Sequence, residues 1–204
     1  MLDAKARDAL QGFSDGLGRV LSRLGFSANV LTAVGVVTSA IASWRIASGA
    51  FLSAGIILTF GGFLDFCDGS VARVKGTASK FGAFLDSVTD RFSDAFWFSA
   101  FTWFYFQDGD TRTAVVALAA YAGGTLTSYI RAKAESLGYD CKVGILERAE
   151  RLILVCAGLI LGYVEIMLWI VAVLGIVTVV QRLVHVARQA KHETTGAAPQ
   201  RPAG

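Results

Sequence analysis

Asp65-Phe66-Cys67-Asp68-Gly69-Ser70-Val71-Ala72-Arg73, then eight residues, then Gly82-Ala83-Phe84-Leu85-Asp86-Ser87-Val88-Thr89-Asp90: this stretch sets four carboxylates in otherwise apolar sequence. Phe51 to Leu64 ahead of it holds no charged residue, and neither does Ala95 to Gln107 behind it. Asp65 and Asp68 are three apart and Asp86 and Asp90 four apart, so on helices each pair shares one face. Between them Gly69 to Phe81, with Arg73, Lys75 and Lys80, is long enough for the chain to turn back. The spacing predicts two helices joined by a basic turn, with the two acidic pairs facing each other.

Four carboxylates at close range repel and take up protons unless a cation offsets them. A hard divalent ion with oxygen ligands is the simplest solution. Two such ions ~3.5–4 Å apart, clamping both oxygens of a displacement at phosphorus, are a recurrent use of such a cluster. We therefore expect Asp65, Asp68, Asp86 and Asp90 to bind one or two divalent cations, most simply Mg2+, with Mn2+ as the alternative. The competing reading is four exposed acids at helix ends, satisfied by water and nearby Lys and Arg. It fits any one Asp; it fits poorly four at this register beside Gly69, Ala72, Arg73 and Gly82. The cysteines Cys67, Cys141 and Cys156 are odd in number and lack CxxC spacing, which argues against a disulfide framework or a thiolate metal site. Cys67 is expected to be a packing residue.

The setting is a membrane. Of 204 residues, 54% are hydrophobic and only 17% charged, against about a quarter charged in an ordinary soluble domain. Residues 1–24 are amphipathic, with Leu10, Phe13, Leu17, Leu21 and Leu24 at helical steps among charged residues. They are too polar to span, and a helix lying in the interface is expected. Six spans follow, at roughly 28–47, 50–73, 80–107, 111–136, 146–163 and 165–188; about 20 residues cross the hydrocarbon, so the longer second and third are expected to project beyond it with the Asp cluster near the membrane surface. This gives an all-α integral membrane domain over 25–190, then a disordered tail over 191–204, rich in Gly, Ala, Pro and polar residues. With both termini, the 73–80 turn and the 131–151 loop on one side, every Lys and Arg but Arg45 and Arg112 falls there. The positive-inside rule makes that side cytoplasmic. A cell membrane location with the acidic cluster facing the cytoplasm follows, and no nucleic-acid partner is expected.

A second polar group returns late in the chain. Arg131 follows the fourth apolar segment, Arg151 closes the run Glu147-Arg148-Ala149-Glu150-Arg151, and Gln181-Arg182 interrupts the sixth. Charges inside spans are costly and usually face the protein interior or a watery cavity. Arg131, Arg151 and Arg182 come from three segments on the same side as the carboxylates, and converging guanidinium groups hold phosphate well. The alternative for each is a snorkelling contact with lipid headgroups. For Arg148 and Lys142 the headgroup reading is preferred; for the other three, the anion pocket. Asp94, one turn beyond Asp90, either holds acceptor hydroxyls or pairs with Arg91.

The string Asp-x2-Asp-Gly-x2-Ala-Arg-x8-Gly-x3-Asp-x3-Asp resembles the signature of the CDP-alcohol phosphotransferases, and all eight fixed positions are met. The resemblance covers roughly residues 25–190. It implies an integral membrane enzyme that moves a phosphoalcohol from a CDP-alcohol to an acceptor alcohol and releases CMP. Within the family, the 128–151 region and the Gln181-Arg182 pair look most like the phosphatidylinositol-phosphate synthases of actinobacteria and their archaetidylinositol-phosphate counterparts. This implies an inositol phosphate acceptor, its phosphate bound by Arg131, Arg151 and Arg182. The actinobacterial pattern has Lys at the position of Arg131. It also implies a nucleotide contact at Asn29, where Ala28 departs from the family's usual Pro, and a homodimer. Gly123-Gly124 would permit close helix contact there.

Gly69 and Ala72, without bulky side chains, are expected to let the CDP-lipid approach their helix. Arg73 pairs with a diphosphate oxygen. The acceptor hydroxyl attacks the lipid-side phosphorus, CMP leaves, and Asp90 takes the proton, by resemblance to the family's last Asp. Glycerol phosphate or another alcohol is the alternative acceptor, and the lipid is diacylglycerol- or archaeol-based. Two other classes fit the sequence less well. A membrane prenyltransferase has denser Asp motifs and lacks the Asp-Gly-x2-Ala-Arg run. A divalent-cation transporter would place its acids near mid-span, whereas these cluster at one end.

Overall fold

The computed structural model describes residues 28–77 and 79–196, with isolated positions 16, 19, 20, 22 and 23. The expected interfacial helix over 1–24 otherwise lies outside the described residues, as does 197–204. The side chains of Ala28, Asn29, Asp68 and Arg73 also lie outside them, although their backbone is helical.

Six helices follow in order: α1 (Ala28–Ala47), α2 (Phe51–Val74), α3 (Lys80–Gln107), α4 (Thr111–Ser136), α5 (Arg148–Leu161) and α6 (Val164–Gly196). The expected segments are all present. The main difference is at the end, where α6 carries on to Gly196, so 191–196 of the expected tail are helical. Val164–His192 is continuous and strongly apolar, and no Gly or Pro interrupts it after Gly175 before Gly196. Helix boundaries follow local chemistry. Ser79 caps α3 by accepting from the Gly82 N–H at 3.0 Å, and Asp110 caps α4 by accepting from Thr113 N–H at 3.0 Å. Glu147 opens α5 through a capping box with Glu150.

The helices pack as a closed ring: α1 on α2, α2 on α5, α5 on α6, α6 on α4, α4 on α3, and α3 back on α1. Inside the ring sit Ile46, Leu58, Phe98, Phe101, Val155 and Leu168, each no more than 2% exposed. α4 and α6 touch backbone to backbone: a Cβ on Gly123 would lie 3.4 Å from the Gly175 Cα. The Gly123-Gly124 pair is therefore used within the chain and offers no face for a dimer.

Outside the ring the surface is apolar. Trp44, Phe60, Phe63, Phe84, Phe106 and Ile166 are among many large hydrophobic residues left exposed, which suits lipid rather than water. Four helices are long and apolar enough to cross a membrane: Val30–Ala47, Phe51–Ala72, Thr111–Ser136 and Val164–His192. α3 has 28 residues but carries three acids, Asp86, Asp90 and Asp94, in its first fifteen. α5 has 14 residues, ~21 Å of helix against ~30 Å of hydrocarbon. Length and composition thus support four of the six expected crossings by themselves. At the end away from the acids, Arg45 stacks over Trp44 at 5.6 Å and Arg112 over Trp169 at 5.3 Å. The two arginines excluded from the basic side are thus held on aromatic rings, as at a membrane interface.

Candidate active site

The turn between α2 and α3 sets the acids opposite one another. Asp65, Asp86 and Asp90 each offer a carboxylate oxygen, and the three oxygens lie within 4.8 Å of one another. Asp65 and Asp86 are half-buried, and Asp90 is 7% exposed. Asp68 lies one turn from Asp65 on α2, with its side chain outside the described residues. Gly69 and Ala72 sit half-buried on the same helix. An all-oxygen, all-anionic set with convergent atoms is the donor chemistry of a hard divalent cation.

A positive charge is already at home here. Arg148, the first residue of α5, places Nη1 2.7 Å from Asp65 Oδ2 and Nη2 2.6 Å from Asp90 Oδ1. The first contact is a hydrogen bond; the second is an ion pair out of line for one. One guanidinium thus ties α5 to both α2 and α3. This corrects the headgroup reading of Arg148. The available signal was its spacing: Arg148 and Arg151 are three apart, so a helix turns both to one face.

Arg151 is buried one turn further, at 1% exposure, and Asp94 at 2%. Its Nη2 lies 2.5 Å from Asp94 Oδ2. Asp94 was expected to pair with Arg91 or to meet acceptor hydroxyls; it pairs with Arg151 instead. The space comes from α4: a Cβ on Gly124 would stand 3.0 Å from Arg151 Nη1. Arg151 is thus paired with Asp94 and is not among the residues that line the cavity shared by Arg131 and Arg182. The physical reason is that two charges this deep must be paired with each other.

Arg131 and Arg182 do converge, and both line a cavity of about 890 Å³ between α3, α4 and the start of α5. Arg91 and Arg148 line it too. Arg182 is held by the backbone, donating from Nε to the Val143 carbonyl at 2.8 Å and from Nη1 to that of Thr127 at 2.5 Å. Thr178, one turn earlier on α6, accepts from Leu146 N–H at 3.0 Å. The Gln189 side chain exchanges two hydrogen bonds with the Asp140 backbone, at 3.0 and 2.6 Å. The loop leading to α5 is thereby strapped along α6, which fixes where Arg148 begins its helix. Arg148 lines both this cavity and the small crevice beside Asp65 and Asp90, so the carboxylates and the basic cavity are neighbours.

Residues 26–193 match the family described as CDP-alcohol phosphatidyltransferase. The chain belongs to that family. This membership makes it a transferase. The chain is 36% identical to the archaetidylinositol phosphate synthase of Methanothermobacter thermautotrophicus, over 84% of this chain and 89% of that one. It is 38% identical to the phosphatidylinositol phosphate synthase of Streptomyces avermitilis, over 83% of this chain and 75% of that one. The crystal structure of Mycobacterium tuberculosis phosphatidylinositol phosphate synthase with CDP-DAG bound superposes with a TM-score of 0.78 at 30% identity, covering 85% of this chain and 92% of that one. The same enzyme in complex with manganese and citrate also gives 0.78, at 29% identity, covering 85% and 88%. Within the matched region, Asp65 on α2 and Asp86 and Asp90 on α3 lie beside the cavity that α4 and α5 complete.

Proposed function

We propose that this phosphatidyltransferase moves a phosphatidyl-type group, diacylglycerol- or archaeol-based, from a CDP-lipid to a hydroxyl of inositol phosphate and releases CMP. The observation that carries it is the junction of two unlike sites. Three carboxylates converge within 4.8 Å, and beside them lies a cavity lined by Arg91, Arg131, Arg148 and Arg182. The relatives named as inositol phosphate lipid synthases, and the one with CDP-DAG bound, support the choice of both substrates.

Asp65, Asp68, Asp86 and Asp90 hold the divalent cation, Mg2+ or Mn2+; the manganese complex of the mycobacterial enzyme supports this class of ion. When bound, such a cation neutralises diphosphate charge and lowers the pKa of a nearby hydroxyl. The chain's own residues do the rest. Gly69 and Ala72 leave α2 smooth enough for the nucleotide to lie against, with Asn29 as a further contact. Arg73 pairs with a diphosphate oxygen. Arg131 and Arg182 grip the acceptor phosphate from the cavity wall, and so place its hydroxyl toward the acids. Asp90, at the inner edge of the cluster, accepts the hydroxyl proton as the oxygen attacks the lipid-side phosphorus. A carboxylate among cations is a weak base, so its contribution is position. Arg151 with Asp94 forms the floor under this wall.

In the membrane, α3 and α5 complete six crossings with the four apolar helices, with the acidic end at the cytoplasm. The test is an acceptor screen: purified protein, CDP-diacylglycerol or CDP-archaeol, and Mg2+, with CMP recorded for inositol phosphate, inositol, glycerol phosphate and serine. Inositol phosphate should give the highest kcat/KM. Preference for glycerol phosphate would keep the reaction class and overturn the acceptor.

A further inference from the structure

Glu147 stands where the acceptor phosphate has to go. Its Oε1 lies 3.4 Å from Arg131 Nη1 and 3.1 Å from Arg182 Nη2. Both separations exceed the ~2.7–2.9 Å of a tight charge-assisted hydrogen bond. Glu147 is also 42% exposed on the cavity wall.

Neither arginine depends on this contact for its placement. Arg182 is fixed by the Val143 and Thr127 carbonyls. Arg131 Nε lies 3.0 Å from Glu135 Oε1. One edge of each guanidinium is left over, and both edges turn to the same carboxylate oxygen. The Glu147 N–H donates to Glu150 Oε2 at 3.1 Å, and the Glu147 side chain closes the capping box on the Glu150 N–H. A swing of the carboxylate off the arginines therefore gives up one exposed capping bond while the Cα stays at the pocket.

Resting on the phosphate pocket proposed above, we infer that Glu147 is a tethered competitor for the acceptor phosphate and sets the site's selectivity. The carboxylate covers Arg131 and Arg182 until a ligand offers them something better. A phosphate monoester does so, with about −1.5 to −2 charge and three acceptor oxygens. A neutral polyol does not, and a carboxylate-bearing alcohol only equals what it displaces. Glu147 thus raises the requirement for phosphate on the acceptor, at the cost of weaker binding of the acceptor that qualifies.

The experiment compares wild type with Glu147→Gln and Glu147→Ser in the full-length membrane protein. Serine keeps a capping oxygen at the start of α5. Two quantities are read: the Ki of inorganic phosphate against inositol phosphate, and the KM of inositol phosphate. Both should fall about tenfold in the variants, equivalent to ~1.4 kcal/mol, while the KM of the CDP-lipid stays put. A Ki that is unchanged or higher in both folded variants overturns the inference, because Glu147 would then be inert or would be holding the arginines in place. Wild-type turnover that is insensitive to inorganic phosphate and equal for free inositol would overturn the pocket itself, and this inference with it.

Discussion

Arg151 and Asp94 face each other across 2.5 Å with side chains 1% and 3% exposed, one from α5 and one from α3. Removing one partner of such a pair strands the other charge, at ~3–5 kcal/mol. Arg151→Ala and Asp94→Leu should each lower thermal stability sharply, and the double variant should recover much of the loss. A stable Arg151→Ala protein with only a raised acceptor KM would instead put Arg151 on the phosphate, as the sequence pattern alone suggested.

Arg148 answers to both sites. Its guanidinium balances Asp65 and Asp90 and lines the basic cavity. Arg148→Ala leaves the carboxylates with one positive neighbour fewer, so Mn2+ should bind more tightly, as read by electron paramagnetic resonance titration. CMP release should fall at the same time. Weaker Mn2+ binding would mean that Arg148 builds the cluster rather than balances it.

Arg182 is the anchored member of the phosphate wall. Losing a charge-assisted bond costs on the order of 1.5–3 kcal/mol, which is about ten- to more than a hundredfold in affinity. Arg182→Ala should raise the inositol phosphate KM by that factor and leave the CDP-lipid KM nearly unchanged. Equal damage to both substrates would point to loss of the loop that Arg182 ties to α6 through Val143.

Topology can be read by labelling. Thr77→Cys, in the α2–α3 turn, should react from the cytoplasmic side, and Asp108→Cys, after α3, from the other. The native Cys67 and Cys141 are buried, and burial pushes the Cys141 thiol up from its ordinary range, so neither should label. Cys156 is half-buried and is best replaced by Ala. Labelling of both introduced cysteines from one side would remove the crossing by α3.

The fold was legible because lipid leaves a simple trace: apolar segments of helix length, ended by glycine and charge. Register was legible too, since the three- and four-residue spacings of the acids can only stack them on one face. Tertiary pairing of the basic residues was not. Which guanidinium reaches which carboxylate depends on how α5 docks, and that is set by the strap from Gln189 to Asp140 and by the gap at Gly124, neither visible as a pattern. The sequence pattern alone therefore points Arg148 outward and Arg151 to the cavity, whereas α5 turns Arg148 to the cluster and buries Arg151. Glu147 was unreadable for the same reason, being unremarkable in sequence as a helix cap.

Transfer by the α2–α3 carboxylates with a divalent cation requires that metal and acid fail together. The most direct measurement is CMP release by the purified protein from a CDP-lipid and inositol phosphate, with Mg2+ and in excess chelator, for wild type and Asp86→Asn. Release should be rapid in wild type with Mg2+, absent in chelator, and at least a hundredfold lower (~2.7 kcal/mol) in a folded Asp86→Asn protein. Undiminished release in chelator, or from Asp86→Asn, would contradict that requirement.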